Sequence, residues 1–323
     1  MRVVTLTLHP AIDRVVRVND LCPGDTFDSQ LVLAASAGKG VNTARTLSAV
    51  WRSPEKIIAA VWLGRAEAEW YRHRLRELSG IHAAICPREC GTRHTLTILE
   101  ACGRETHIKE AMAAARPGEE RALLAFWKKT LRAGDIVALC GSAPSNTSAQ
   151  TLRRLFDIAR HKKARAIIAD TNGLALDVAG AAGLDGIKGN AAEIGVWLGL
   201  RRAFDPSKLN HRRALQVALA RKSAPRAIMI TRGAAGALFA IAPLILFSAS
   251  PPRLNQRKKT LQSATGCGDV ATAGWLWGML DGASHEEILR RAVACGTAKL
   301  TSPDPGFLDT RYLQTLLRGI GIS

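Results

Sequence analysis

No two of the seven cysteines form a Cys-x-x-Cys pair, and their number is odd over 323 residues. That excludes a disulfide framework as the organising device and predicts reduced thiols. Cys86, Cys90, His94 and Cys102 fall near one another, but not at the spacing of a usual zinc pair. Long apolar runs are missing too. The run at 3–8 is too short for the core of a signal peptide, and the most apolar stretch, 227–250, is broken by Arg232, Gly233, Gly236 and Pro243. A membrane partner is therefore not expected, and a cytoplasmic location is. The Gly-x4-Gly-Lys-Ser/Thr spacing of a P-loop does not occur, and no internal repeat marks a solenoid.

Acidic residues are outnumbered: 27 against 45 basic ones, a net charge of +18. Such a balance raises the local concentration of anionic ligands, such as nucleoside triphosphates and sugar phosphates. The basic residues are spread over 72–76, 160–165, 201–202, 212–213 and 257–259, without aromatic interleaving. This reads as a solvated basic surface rather than a specific nucleic-acid site. The hydrophobic share, 47%, is enough for a substantial core.

The chain is organised around Thr265-Gly266-Cys267-Gly268-Asp269. From 270 to 280 no residue is charged, so a buried helix with a glycine-rich first turn is expected. A helix N-terminus leaves backbone N–H groups unpartnered and, with the helix dipole, favours an anion. Asp269 would lie beside that anion, where a carboxylate suits proton removal from a hydroxyl attacking a phosphoryl group. Taken alone, the pentapeptide also fits a plain glycine turn opening a core helix, capped by Asp269.

Elsewhere strands and helices alternate. Strands are expected over 2–8, 57–62, 83–85, 136–139, 166–169, 186–188, 227–230, 236–240 and 244–247. Helices are expected from Asn42 to about 50 and over 66–79, 119–131, 148–162, 207–221, 284–300 and 310–318, with further ones after Asp170 and through Glu193. Repeated strand–helix units imply a mainly parallel sheet covered on both faces. In such sheets ligands bind beyond the carboxyl ends of the strands, where Asp13, Asp170, Lys188, Asn190 and Thr231 fall. Two patches carry strands without helices, 14–35 and 93–108, and pair as one small accessory sheet. Asp13 is placed in the loop before the first of them.

Seven motifs, in order, carry a resemblance over nearly the full length. They are Thr5-Leu6-Thr7-Leu8-His9-Pro10-Ala11-Ile12-Asp13, Ala37-Gly38-Lys39-Gly40-Val41-Asn42, Thr92-Arg93, Gly141-Ser142-Ala143-Pro144, Lys188-Gly189-Asn190-Ala191-Ala192-Glu193, Thr231-Arg232-Gly233-Ala234-Ala235-Gly236 and the Asp269 pentapeptide. The chain resembles the ribokinase-like (PfkB) carbohydrate kinases, most of all the branch of 1-phosphofructokinase and tagatose-6-phosphate kinase. The resemblance implies a single α/β domain over 1–323, a three-layer sandwich whose small β-sheet forms a lid, and a homodimer made through that lid.

It also implies roles. Asp269 is the general base, and the N–H groups of Gly266, Cys267 and Gly268 hold charge on the transferring phosphoryl group. Asp13, Gly38 and Asn42 hold sugar hydroxyls, while Lys39 and Arg93 meet the phosphate already on the sugar. Lys188, Asn190, Thr231, Gly233 and Gly236 bind ATP, and Glu193 meets Mg²⁺ through water. The implied acceptor is a ketohexose phosphate: fructose 1-phosphate first, then tagatose 6-phosphate or fructose 6-phosphate. An unphosphorylated sugar or nucleoside as acceptor, or a weak relative that only senses sugar phosphate or nucleotide, stay open. Four positions depart from the family pattern: His9 and Thr95 stand for Asn, Gly189 for Pro and Cys267 for Ala. Gly189 is expected to loosen the loop before Asn190, and the Cys267 thiol to make the site sensitive to oxidation.

Overall fold

The computed structural model describes residues 1–111, 113–252 and 263–323. The basic stretch 253–260, for which the sequence offers no reading, lies outside them. Two sheets form. The larger runs, in spatial order, β13 (Ile245–Ala249), β12 (Ala237–Ile241), β11 (Ala227–Thr231), β10 (Gly186–Asn190), β9 (Ala166–Asp170), β8 (Ile136–Cys140), β1 (Val3–Thr7), β4 (Ile57–Gly64) and β5 (His82–Arg88). From β5 to β11 all neighbours are parallel; β12 and β13 continue antiparallel at one edge. The smaller runs β3 (Gln30–Ala37), β2 (Ala11–Val18), β6 (Arg93–Glu100) and β7 (Glu105–Lys109). The two helix-free patches of the sequence are thus one sheet.

Side chains alternate across a strand, and this divides the core in two. Val4, Leu6, Val137, Leu139, Ile167, Ala169, Ile187, Ile228 and Ile230 pack on one face. There they meet α3 (Glu119–Thr130), α4 (Ala149–His161), α5 (Gly173–Gly180), α6 (Ala191–Trp197) and α7 (Leu209–Leu219). Val3, Ile136, Ala138, Ile168, Ala227 and Met229 pack on the other, under α1 (Lys39–Val50), α2 (Ala68–Ser79), α8 (Cys267–Leu280), α9 (His285–Ala298) and α10 (Thr310–Gly319). The result is the expected three-layer α/β sandwich. Helix α8 has no polar stripe because it is buried along most of its length; a helix apolar all round belongs inside a protein.

Strand β1 has β4 on one side and β8 on the other, so the chain winds away in both directions. A crevice at the carboxyl ends of β1 and β8 is the switch point at which such sheets take ligands. The first turn of α1 closes over it: a methyl group placed on Gly40 would sit 2.5 Å from Thr7 Oγ1 and 3.2 Å from Cys140 Cβ.

Two local expectations are corrected. Asp13 is in a strand, not a loop: β2 begins at Ala11, where the chain passes from the large sheet to the small one, and Asp13 pairs with Ala35 on β3 and Thr95 on β6. Gly189 lies in no loose loop: it is a buried residue of β10, paired with Ile230, and a methyl there would press Ile194 Cδ1 at 3.1 Å. Among the described residues no helix is long and apolar enough to cross a membrane.

Candidate active site

The face parity of the large sheet decides what the crevice contains. On β9, Ala166 and Ile168 face α8, so Asp170 does too; on β10, Ile187 faces away and Lys188 towards α8. In the parallel register Lys188 stands opposite Asp170, Cys140 beside it, and Asn190 opposite Thr231. The last inward residues of neighbouring strands therefore gather beneath the N-termini of α1 and α8.

Both helices start on glycine. Gly266 is the N-cap of α8 at φ +88° and lies against the backbone of Pro305, where no side chain fits. Gly38 caps α1 at φ +125°, with Thr7 Cγ2 and Pro10 Cα where a Cβ would point. Asp269 occupies the first turn of α8 and is buried; its Oδ2 accepts from Asn42 Nδ2 at 2.8 Å. Thr43 Oγ1 donates to Asp269 O at 3.0 Å, fixing the two helix starts to one another. The Cys267 N–H turns back to Ala264 O at a long 3.3 Å, so an anion would compete for it easily.

Asp170 forms the floor. It is fully buried, and its carboxylate accepts from Lys188 Nζ at 2.9 Å, Thr272 Oγ1 at 2.5 Å and Lys39 Nζ at 3.4 Å. Burial works to raise its pKa, but the two ammonium groups and the Thr272 and Lys188 hydrogen bonds prevail and hold it at about 2. Asp269 goes the other way. Its burial, with the charge of Asp170 adding, outweighs Lys39 and the Asn42 hydrogen bond, and its pKa is pushed up to about 6. One carboxylate is a fixed counter-ion and the other a proton acceptor poised near neutrality, a division that environment alone produces. Lys39 is raised, chiefly by Asp170, and stays charged.

At the junction with the small sheet, Thr95 Oγ1 donates to Asp13 Oδ1, so the residue that replaces Asn still serves Asp13. Burial raises the Asp13 pKa, against that hydrogen bond and the charge of Arg93. The ring of His9 bonds Ser142 Oγ through Nδ1 at 2.8 Å; burial, with Arg93 and Arg88 nearby, lowers it to about 4, so it is neutral. Arg93 reaches His9 O at only 3.5 Å, and its buried Nε has no partner among the described residues. Lys39 and Arg93, both expected at the sugar phosphate, share no hydrogen-bond partner among the described residues: Lys39 faces Asp170, Arg93 faces His9 and Asp13.

On the far side, Asn190 caps α6 through Ala192 N and Glu193 N, and Glu193 Oε2 accepts from Asn190 N at 2.7 Å, a reciprocal capping box. A cavity of about 420 Å³ opens beside it, lined by Asn190, Thr231, Arg232 and Gly233 on one side and by Ala203, Phe204, Asp205 and Pro206 on the other. Gly236 closes the turn after β11, its Cβ position filled by Ala249 O. Among the described residues no three His, Cys, Asp or Glu side chains converge on one point. The donor set suits a cation such as Mg²⁺ held mainly by phosphates and water: Glu193 keeps one carboxylate oxygen outside the capping box. Cys86 is buried in β5 and Cys102 lies exposed, while His94 on β6 is paired with Glu110.

Sequence reasoning places Asp170 at the ligand-binding edge without giving it a role, and gives no sign of Thr272. The signal was the two-residue period of β9, which already placed Asp170 on the face of Ile168.

A parallel sheet with its crevice under two glycine-capped helices, a small second sheet beside it and a buried carboxylate between them can hold an anion next to a proton acceptor. The family model described as pfkB family carbohydrate kinase matches residues 9–311. The chain belongs to that family and is a carbohydrate kinase. It is 30% identical over 332 residues to the 1-phosphofructokinase of Rhodobacter capsulatus, covering all of this chain and 98% of that one. To the 1-phosphofructokinase of Vibrio cholerae it is 27% identical over 326 residues, covering all of this chain and 96% of that one. Its fold matches the crystal structure of phosphofructokinase-2 from Escherichia coli in complex with potassium, with a TM-score of 0.86 and 23% identity over 98% of both chains.

Proposed function

We propose that the protein transfers the γ-phosphoryl group of ATP to a hydroxyl of a ketohexose phosphate, fructose 1-phosphate before tagatose 6-phosphate or fructose 6-phosphate. One observation carries this reading: Asp269, buried in the first turn of α8, is held by Asn42 across the crevice with its pKa raised to about 6. The names of the two bacterial relatives, matched end to end, favour fructose 1-phosphate.

The acceptor hydroxyl lies between Asp13, Gly38 and Asn42. Asp269 takes its proton as the oxygen attacks. Charge developing on the transferred group meets the N–H groups of Gly266, Cys267 and Gly268 and the start of the α8 dipole. We assign Lys39, ion-paired with Asp170 at 3.4 Å, to positive charge on that side rather than to the sugar phosphate. Arg93, whose Nε has no partner among the described residues, remains as the cation for the acceptor's phosphate. Lys188, Asn190, Thr231, Gly233 and Gly236 border the nucleotide, the cavity beside Asn190 being its berth. Glu193 would hold Mg²⁺ through water, and the ion, when bound, would supply charge neutralisation on the triphosphate. Phosphoryl transfer asks mainly for this kind of alignment and charge placement.

The small sheet acts as the lid. Leu31 and Ile108 on its outer strands are about half exposed, and a second copy covering them fits a homodimer through the lid. Reduced cysteines and the absence of a membrane-spanning helix among the described residues fit a cytoplasmic location.

The test is ADP release from Mg-ATP with a panel of phosphorylated and plain sugars. Turnover is expected with fructose 1-phosphate above all. Stimulation by plain sugars alone would remove the role given to Arg93, and tight ligand binding without turnover would make the protein a sensor.

A further inference from the structure

Lys299 is a buried cation that the chemistry above does not use. It follows the last residue of α9, its side chain is completely buried, and its Nζ donates to two main-chain carbonyls, Ser263 O at 2.9 Å and Ser302 O at 3.0 Å. Among the described residues no carboxylate lies within ion-pair distance of it, and residues 253–262 include neither Asp nor Glu. A buried ammonium ordinarily needs a counter-charge. Here the C-terminal end of the α9 dipole and the two carbonyls take that place, while Asp304, Glu105 and Asp269 act only from longer range.

The two carbonyls lie on the two segments that hold Gly266. Ser263 precedes the turn into α8, and its Oγ accepts from Thr265 N at 3.1 Å. Ser302 opens the segment that brings Pro305 against Gly266. That segment is also tied to α1, through Arg45 paired with Asp304 at 2.5 Å and Thr46 donating to Gly306 O. Without the ammonium, two carbonyls would face each other in the interior unpartnered, at the foot of the turn that presents the first-turn N–H groups.

We propose that Lys299 is a positioning residue: it supplies from within the chain the monovalent positive charge that sets the Gly266–Gly268 turn, so that turnover requires no added monovalent cation. Carbonyl oxygens around one buried charge are also what potassium or ammonium ions select, and a cavity left by removing the lysine would admit either. The proposal rests on the kinase reading for its effect on rate, but its cation arm does not.

The experiment compares wild type, Lys299→Ala and Lys299→Met in tetramethylammonium, potassium and ammonium chlorides at equal ionic strength. Both ADP release and the melting temperature of the ligand-free protein are read. Wild type should show less than about a twofold difference among the salts, and its melting temperature should not move. Lys299→Ala in tetramethylammonium should lose about 10²-fold in turnover, the cost of misplacing the donors. Potassium or ammonium should restore about tenfold of that and raise its melting temperature, because an ion that binds only the folded state stabilises it. Lys299→Met fills the space without charge and should be rescued by neither ion.

Activation of wild type several-fold by potassium would overturn the proposal. So would a melting temperature of Lys299→Ala that ignores the cation, or equal rescue of the Met variant. If Lys299→Ala does not fold, the wild-type salt profile and the Met variant still decide. If wild type turns over no acceptor, the kinase reading fails, while the melting temperatures still judge Lys299.

Discussion

Replacing Asp269 by Asn should abolish turnover and make the protein more stable, and the gain should depend on pH. The pKa of this carboxyl rises from 3.8 to about 6 because burial disfavours its charge. About two pKa units at 1.36 kcal/mol each amount to roughly 3 kcal/mol of folding free energy spent on keeping Asp269 ionised. The sign follows from proton binding: between about pH 4 and 6 the folded protein holds a proton that the unfolded chain has released, so stability falls as pH rises through that window. Asn is isosteric, its oxygen can accept from Asn42 Nδ2, and it carries no charge at any pH. For a chain of this length roughly 3 kcal/mol corresponds to about 4 °C. The variant should therefore melt about 4 °C above wild type near pH 8, the gap closing towards pH 4. Calorimetric scans over that range read it directly. Turnover should drop by about 10²–10⁴-fold, the usual worth of a general base. A gap that does not change with pH would refute the desolvated-base assignment, and so would a variant that keeps more than a tenth of the activity.

Other perturbations separate the remaining roles. Asp170→Asn leaves Lys39 and Lys188 without their counter-ion and should destabilise by about 3–5 kcal/mol. It also removes the charge that helps raise Asp269, so Asp269 should titrate below its wild-type value; carbon-13 NMR of labelled carboxyls in the free protein shows whether it does, and an unmoved titration sinks the coupling. Arg93→Met should raise KM for the phosphorylated sugar by about 10- to 100-fold, the worth of a charge-assisted contact, and leave KM for ATP unchanged. Steady-state kinetics that show a loss in kcat alone would place Arg93 elsewhere. Burial pushes the Cys267 thiol up to about 11, against the pull of Lys299 and the helix N-terminus. Iodoacetamide should therefore label exposed Cys22 and Cys102 first with activity intact; mass mapping that finds Cys267 modified first would restore the oxidation-sensitive thiol.

What the sequence made legible was local. The Gly-flanked start of α8 announces its anion-binding end within five residues, and the two helix-free patches announce the small sheet by what they omit. What stayed hidden depends on partners far along the chain. Thr95 serves Asp13 across 82 residues, and Asp170 is joined by Lys39 from 131 residues away and Thr272 from 102. Lys299, at the end of an amphipathic helix, looks like any solvated lysine until the loops at Ser263 and Ser302 close over it.

Between these extremes lies a signal that is present in the sequence but needs one structural fact to be used. On β9 the residues 166, 168 and 170 share a face by period alone, and on β10 so do 186 and 188. Once the two strands are neighbours in parallel, with Lys188 opposite Asp170, a buried ion pair at the ligand edge follows from the backbone alone. Period fixes which face a residue takes; only the order of strands in the sheet decides which charge it meets there. The chemistry at Asp269 depends on that order, because Asp170, which helps raise its pKa, and Lys188, which opposes the rise less than Lys39 of α1 does, both come from the pairing beneath it.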